Sequence, residues 1–575
     1  MAAAHPAQSV KNRLAHDKKL LLYKFCLLEM SSETTNKLIL KASLPRTSDL
    51  SFVGRFHHNF GFEEGLFDYL LDQKDMWGDK LFYVNERQFS QWVEKGKHKI
   101  REIPMSKENS GFPALELKEI PKQQFEESFG AIGDIDLKIT KGGHVAQHTL
   151  KKGDCVSLKE AIDRNGLALN VGGYVTAMKW LHYSSNSLLA VFVINSKEGL
   201  ASVVNDPALS VFPKKSEPLA AIKTALQIWN YDVELSSLTL SQVYDTSEFG
   251  ATSRLSWLPA KYANSDSGVL LGIFTDGKLH FFEISAQNTP ETTYYKVTKP
   301  SWSVWLDAER KSQKLPIPLT AFDFLDHERV IVGTFDGAVA EFTLPNSGES
   351  EADARIPSFV TYITDSMINS ICVADINKSK VILVNTATAQ SFAIQYDQIR
   401  QGRVEIGYTV STLQPLFHHT YRIFVYPDSA ESIGYTFARH PHMKHSLLLK
   451  TELISTFHIS EYLNHPFAVV GNTCGDVYVM NIGRKIFGMP KALNKLVVPL
   501  KIWTLFQAPG ESALTLSGDY IPVTPDKNEI MCTFTPPEVV ISAAAWNENF
   551  EGSSTYAFGT YTGLLVLERL DPVLI

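Results

Sequence analysis

Four short stretches of this chain share one pattern: Ile273-Phe274-Thr275-Asp276-Gly277, Gly333-Thr334-Phe335-Asp336-Gly337, Gly471-Asn472-Thr473-Cys474-Gly475 and Gly559-Thr560-Tyr561-Thr562-Gly563. Each follows a run of β-branched and aliphatic residues, ends at a glycine and leads into alternating apolar positions, such as Leu279, Phe281 and Ile284 after the first. Glycine supplies the positive φ of a tight hairpin turn. A strand–turn–strand unit recurring along one chain predicts radial repetition, and four-stranded blades around an axis are its common all-β form. The expected fold is an all-β, seven-bladed β-propeller over residues 155–575, preceded by an N-terminal extension.

At 575 residues the chain exceeds one ordinary core, and a propeller accommodates such a length. Aromatic residues at 11% suit sheets packed face to face, and charged residues at 20% mark a globular chain. The net charge of −7 places any DNA contact in a local patch or on a partner. Five dispersed cysteines (Cys26, Cys155, Cys372, Cys474, Cys532) lack metal-ligand spacing and predict no disulfide framework, hence a reducing compartment. Lys24 breaks the apolar run Leu20-Leu21-Leu22, so the opening segment reads as neither signal peptide nor spanning helix.

Residues 1–50 read as a mildly basic arm. Residues 51–105 are dense in aromatics, including Phe60, Phe62, Trp77, Phe82 and Trp92, which must be buried somewhere. They form either a small element docked on the propeller or a segment that folds on a partner. Residues 106–154, polar and punctuated by Pro113 and Pro121, read as a linker. Candidate blades span 171–230, 251–285, 317–344, 358–396, 406–438, 454–482 and 539–570, and residues 155–169 are the candidate for closing the ring. The turn of the fourth lacks glycine. Residues 286–316 form an insert whose Trp302 and Trp305 either mark a partner surface or fold back to bury their own rings.

No phosphate-binding glycine loop, nucleophile elbow, zinc-protease or dinucleotide motif is present, so the reading is a non-enzyme without cofactor or metal. Trp180, Trp257 and Trp546 recur at equivalent strand positions and predict packing between blades. The run Arg439-His440-Pro441-His442-Met443-Lys444-His445 reads as a solvated loop in preference to a metal site. Arg484, Lys485, Lys491, Lys495 and Lys501 carry no acid between them; they read as a patch for nucleic acid or an acidic partner, or as a solvated connector.

The order Asn170-Val171-Gly172-Gly173, Ala177-Met178-Lys179-Trp180, Leu226-Gln227-Ile228-Trp229, Leu255-Ser256-Trp257-Leu258-Pro259 and Gly268-Val269-Leu270-Leu271-Gly272 resembles the WD40-type propeller subunit in the box B-binding half of RNA polymerase III transcription factor IIIC. The resemblance covers about residues 165–285 and is architectural beyond. It implies a nuclear scaffold that pairs with a second propeller subunit and with the largest DNA-binding subunit, and that supports recognition of the internal promoter of tRNA genes. Family members carry a basic N-terminal tail linked to DNA binding; here the N-terminus is short and only mildly basic. The alternative is a WD40-type adaptor or substrate receptor in another nuclear or cytosolic complex.

Overall fold

The computed structural model describes residues 52–78, 80, 85–105, 111–130, 133–183, 187–196, 222–262, 267–285, 291–310, 313–345, 356–376, 379–408, 413–448, 452–486, 499–522 and 535–571. Within them the chain forms seven sheets of four or more strands, each built on an antiparallel meander. The first strands of the blades are Tyr174–Trp180, Ser256–Trp257, Leu319–Phe324, Ile368–Ile376, Leu416–His418, Ile454–Ile459 and Ile541–Trp546. The first strands of blades 3 to 7 pack in turn on one another, that of blade 7 packs on that of blade 1, and the second strand of blade 2 packs on the first of blade 3. The first-strand edges therefore converge on one axis, which makes the architecture a WD40-type β-propeller.

The glycine-ended turns behave as the sequence requires. Gly277, Gly337, Gly475 and Gly563 have φ of 79°, 86°, 85° and 85°. In blade 3, Thr334 brackets the turn: Gly337 N donates to Thr334 O at 3.2 Å and Ala338 N donates to Thr334 Oγ1 at 2.9 Å. Blade 4 builds the same turn without glycine. Ala389 N donates to Thr386 O at 3.0 Å, and Ala389 itself takes φ 66°.

The three recurring tryptophans are buried where blades meet. Trp257 Nε1 donates to Lys179 O of blade 1 at 3.2 Å. Trp546 N donates to His458 Nδ1 of blade 6 at 3.1 Å, and Trp180 shares a cluster with Ala545 and Leu565 of blade 7. The string Asn170 to Gly173 is also a junction: Asn170 Oδ1 accepts from Gly172 N at 2.9 Å, and Val171 O accepts from Gln227 Nε2 at 2.9 Å.

Closure is made by Gly166–Asn170, which pairs antiparallel with Leu564–Arg569 of blade 7. One buried ion pair fixes it. Arg164 donates from Nε to Glu568 Oε1 at 2.6 Å and from its terminal nitrogen to Oε2 at 2.5 Å, with side chains 1% and 2% exposed. Its other terminal nitrogen donates to Ile502 O and Gly518 O, at 2.7 and 2.8 Å. The guanidinium stands 3.6 Å from the ring centroid of Trp503 and 4.5 Å from that of Tyr520. Glu568 also accepts from Trp503 Nε1 at 2.9 Å and from the Tyr556 hydroxyl.

Several expectations are corrected. The expected linker, residues 106–154, is structured where described. Phe112 stacks on Phe281 of blade 2 at 5.5 Å, and Glu116–Glu119 pairs with Thr293–Lys299 at the edge of blade 1. The hairpin Ile135–Lys141/His144–Leu150 widens blade 6 by pairing in parallel with Leu514–Ser517. Its strand alternates Ile135, Leu137 and Ile139, all buried, with polar residues that masked the strand.

Two outer strands lie one blade earlier than the sequence pattern places them. Phe359–Tyr362 completes blade 3 and Val404–Tyr408 completes blade 4, because these short, half-exposed strands carry little apolar signal. The insert 286–316 supplies Thr293–Lys299 to blade 1 and Trp302–Val304 as the fourth strand of blade 2. The histidine run is a strand, His440–Leu448 in blade 5.

Two predictions test this reading of the frame. Ala389→Gly relieves a left-handed alanine and raises the unfolding free energy by about 1 kcal/mol. Gly337→Ala lowers it by more, since a Cβ there meets Thr364 O at 1.7 Å. Equal denaturant midpoints for both variants and the parent refute the shared turn. Arg164→Met strands the Glu568 carboxylate and costs about 3–5 kcal/mol; a loss under about 1 kcal/mol in urea denaturation shows that closure does not depend on the pair.

Candidate functional site: the capped axis

The innermost strands bring titratable side chains to the axis. Lys179 comes from blade 1, Arg254 from the approach to blade 2, Asp323 from blade 3, Cys372 from blade 4, His418 and His419 from blade 5, His458 from blade 6 and Glu548 from the end of the blade 7 strand. They are short of water, yet most are paired. Lys179 Nζ donates to Glu461 Oε2 at 2.5 Å and lies 2.8 Å from His458 Nε2. Asp323 Oδ2 accepts from Val373 N at 2.7 Å, and the Arg254 guanidinium lies over the Phe322 ring at 4.2 Å. Burial pushes the Asp323 carboxyl up to about 6 against the pull of Arg254. It holds His418, whose Nε2 faces His465 O at 3.2 Å, down at about 4.

Glu548 organises the loop after the first strand of blade 6. Oε1 accepts from Glu461 N at 2.8 Å, and Oε2 accepts from Ser460 Oγ at 3.0 Å, Tyr462 N at 3.3 Å and Leu463 N at 3.4 Å. Burial pushes this carboxyl up to about 7, with Lys179 and the backbone donors acting the other way. The loop presents Tyr462, whose ring stacks on His182 of blade 1 at 3.9 Å.

Over this loop runs the N-terminal extension. Helix α1 (Phe52–Phe60) seats Phe60 against Phe437 of blade 5 at 5.2 Å and stacks His58 on His440 at 3.8 Å. Helix α2 (Leu66–Trp77) places Trp77 against Phe467 of blade 6 at 5.7 Å, and α3 (Glu86–Glu94) stacks Phe89 on Phe550 of blade 7 at 5.5 Å. Asn85 caps α3 by accepting from Arg87 N at 2.8 Å, and Glu86 pairs with Arg569 at 2.6 Å. Complete burial of rings the size of Trp77 and Phe89 contributes roughly 1.5–3 kcal/mol each.

Beyond α3, residues 98–105 cross from blade 6 to blade 2. His98 Nε2 lies 2.7 Å from Leu463 O, Arg101 N donates to Tyr462 O at 2.7 Å, and Lys261 N of blade 2 donates to Pro104 O at 2.9 Å. The Arg101 guanidinium stands 5.2 Å from the Tyr462 ring centroid. Its charge bears on His182, Cys372, His419 and Tyr462, which belong to four different blades. A single side chain reaches all four only above the axis.

The residues singled out by sequence fall elsewhere. Phe60, Trp77 and Trp302 are buried within the chain, so they are packing residues and present no surface to a partner. Phe62, Trp92 and Trp305 are half-buried; Phe62 stacks on His57 at 4.2 Å and Trp92 meets Trp77 edge-on at 5.1 Å. Phe82, Lys491 and Lys495 lie outside the described residues. The remaining basic residues do not form one exposed patch. Arg484 is 9% exposed in the short helix Ile482–Ile486 packed against α2, Lys485 is half-buried, and Lys501 pairs with Asp476 at 3.3 Å. Sequence reading passed over Lys179, Glu548 and Arg101. A lysine inside the apolar run Ala177-Met178-Lys179-Trp180 was the available signal for the first. Among the described residues no cluster of three or more His, Cys, Asp or Glu has metal-binding geometry, and no helix is long and apolar enough to cross a membrane.

Fold and site together define a WD40-type propeller whose axis is covered by its own N-terminal extension. The chain matches no protein-family model. It is similar to the transcription factor tau 91 kDa subunit of Saccharomyces cerevisiae, 24% identical over 448 residues, which cover 76% of this chain and 62% of that protein. The chain thus spans less than two thirds of that relative's length. The similarity agrees with the resemblance carried by residues 165–285. Among solved structures, Raptor of Chaetomium thermophilum aligns with a TM-score of 0.43 and 10% identity, over 71% of this chain and 28% of that one.

Glu548 gives the site a pH signature. Its carboxyl sits at about 7 against an ordinary 4.5, so between those values the folded chain binds more protons than the unfolded one. Stability therefore falls as pH rises through this window, by at most about 3 kcal/mol from this group. Glu548→Gln flattens that component, read as denaturant midpoints at pH 5, 6 and 7. An unchanged pH slope refutes the assignment.

Proposed function

We propose that this chain is a non-enzymatic scaffold subunit of a general transcription factor for RNA polymerase III, acting in the nucleus. It pairs with another propeller subunit and with the largest DNA-binding subunit of the complex, and it supports recognition of box B in tRNA genes. The observation that carries this reading is the similarity to the tau 91 kDa subunit, which extends over 76% of the chain. DNA is reached mainly through the complex. The net charge of −7 and the dispersed basic run both favour shared contact over a dedicated groove.

Surfaces suited to protein contact are available. On the outer edge of blade 3, Ile356, Val360 and Tyr362 are 67%, 53% and 53% exposed. Apolar side chains grouped along an open strand edge favour association. Phe62, Trp92, Trp305, Lys485 and Lys501 are the described members of the sequence-derived set that reach the surface in part.

Affinity purification from nuclear extract tests the proposal. The expected result is stoichiometric recovery of a second propeller subunit and a large DNA-binding subunit, with weak duplex binding by the isolated chain. The double variant Val360→Glu/Tyr362→Glu should reduce recovery of the propeller companion at least about tenfold without altering the circular-dichroism spectrum. Recovery of the chain alone at mild salt, or with companions unrelated to transcription, sinks the reading.

A further inference from the structure

We propose that the mouth of the propeller axis between blades 6, 1 and 2 is a receptor for an extended, arginine-bearing peptide, and that residues 98–105 of this chain are its occupant in cis. Three observations on different groups carry this.

The seat is a polar loop fixed by the blades themselves, with Lys179 of blade 1 paired to Glu461 and Glu548 of blade 7 bound to Ser460. The Arg101 guanidinium stands 5.2 Å from the Tyr462 ring centroid, and Tyr462 feels the charges of Glu461, Glu548 and Asp323 as well as that of Arg101. Glu548 spends its hydrogen-bonding capacity on shaping the loop that presents Tyr462. That loop in turn offers Tyr462 O to the Arg101 amide.

The occupant binds as peptides bind to propellers and sheet edges, through main-chain hydrogen bonds plus one anchoring side chain. Main-chain groups engage at both rims: Arg101 with Tyr462 on one side, Pro104 and Met105 with Lys261 on the other. Asn464 Nδ2 adds a contact to Lys99 O at 3.3 Å.

After the buried His98, the crossing segment is seated shallowly, whereas its flanks are deep. Ile100 and Met105 are 40% and 68% exposed, although both are apolar. Trp77 and Phe89 before the segment are fully buried, and Phe112 after it is inserted in blade 2. The geometry thus permits residues 100–105 to lift while His98, bonded to Gln73 of α2 at 2.9 Å, stays with the docked helices. A segment of the same chemistry, extended and carrying one arginine, then competes for the mouth.

Amide hydrogen exchange on the full chain tests the local opening. In Arg101→Ala, the Arg101-position and Lys261 amides should exchange at least about tenfold faster, while amides in α2, α3 and the blade strands keep their rates. A labelled synthetic peptide of residues 97–106 should bind the Arg101→Ala chain at least tenfold more tightly than the wild-type chain, and replacement of the peptide's own arginine by alanine should abolish binding. Arg101→Lys, which keeps the charge, serves as the second variant if the alanine variant folds poorly; it should show intermediate exchange. The proposal is overturned if the Lys261 amide is unaffected, if α2 and α3 loosen in step with residues 100–105, or if peptide binding ignores either arginine.

Discussion

The ring depends on a buried charge pair at its seam. A propeller assembled from local hairpins still has two ends, and an open end leaves an unpaired edge in the last blade. Here Arg164 precedes the closing strand and Glu568 lies in the strand it pairs with. Their 2.5–2.6 Å bonds hold together segments about 400 residues apart in sequence. Burying two charges is costly, and the cost is met by geometry: a bidentate contact, two carbonyls on the guanidinium, and a tryptophan and two tyrosines disposed around the pair. Because Ile502 and Trp503 belong to blade 6, the same contact ties closure to the neighbouring blade.

Once the ring is closed, its first strands share an axis, and every side chain they direct inward shares it too. Lys179, Asp323, His458 and Glu548 are remote in sequence and meet only for this reason. The low-water environment raises the cost of unpaired charge, so these groups are found paired, hydrogen-bonded or shifted towards neutrality. The N-terminal extension takes part in the same arrangement. Its helices use aromatic rings to grip blades 5, 6 and 7, and residues 98–105 then bring Arg101 over the shared centre.

Much of the frame was legible because hairpins are local. The positive-φ turns and the β-branched runs record contacts made within a single hairpin, and the tryptophans, though they pack between blades, recur at the same place in each repeat, so the sequence pattern repeats with the structure. The same locality explains the misreadings. Outer strands such as Phe359–Tyr362 are short and half solvated, so they carry no sustained apolar signal and were joined to the next blade. The hairpin 135–150 was read as linker because its partner, Leu514–Ser517, is nearly 400 residues away. The histidine run became a strand because blade 5 supplied an edge for it and α1 supplied a stacking partner.

Sequence alone determined that this chain folds into repeated β hairpins, since glycine placement and alternating apolarity are properties of neighbouring residues. It also determined the propeller resemblance, which rests on motifs of a few residues in fixed order. Tertiary structure decided which aromatic rings are packing and which reach the surface. It decided that a supposed basic run is divided between a buried arginine and a paired lysine, and that Arg101 stands over Tyr462 of blade 6. Those outcomes depend on which edges meet when the ring closes, a long-range condition that no local pattern encodes.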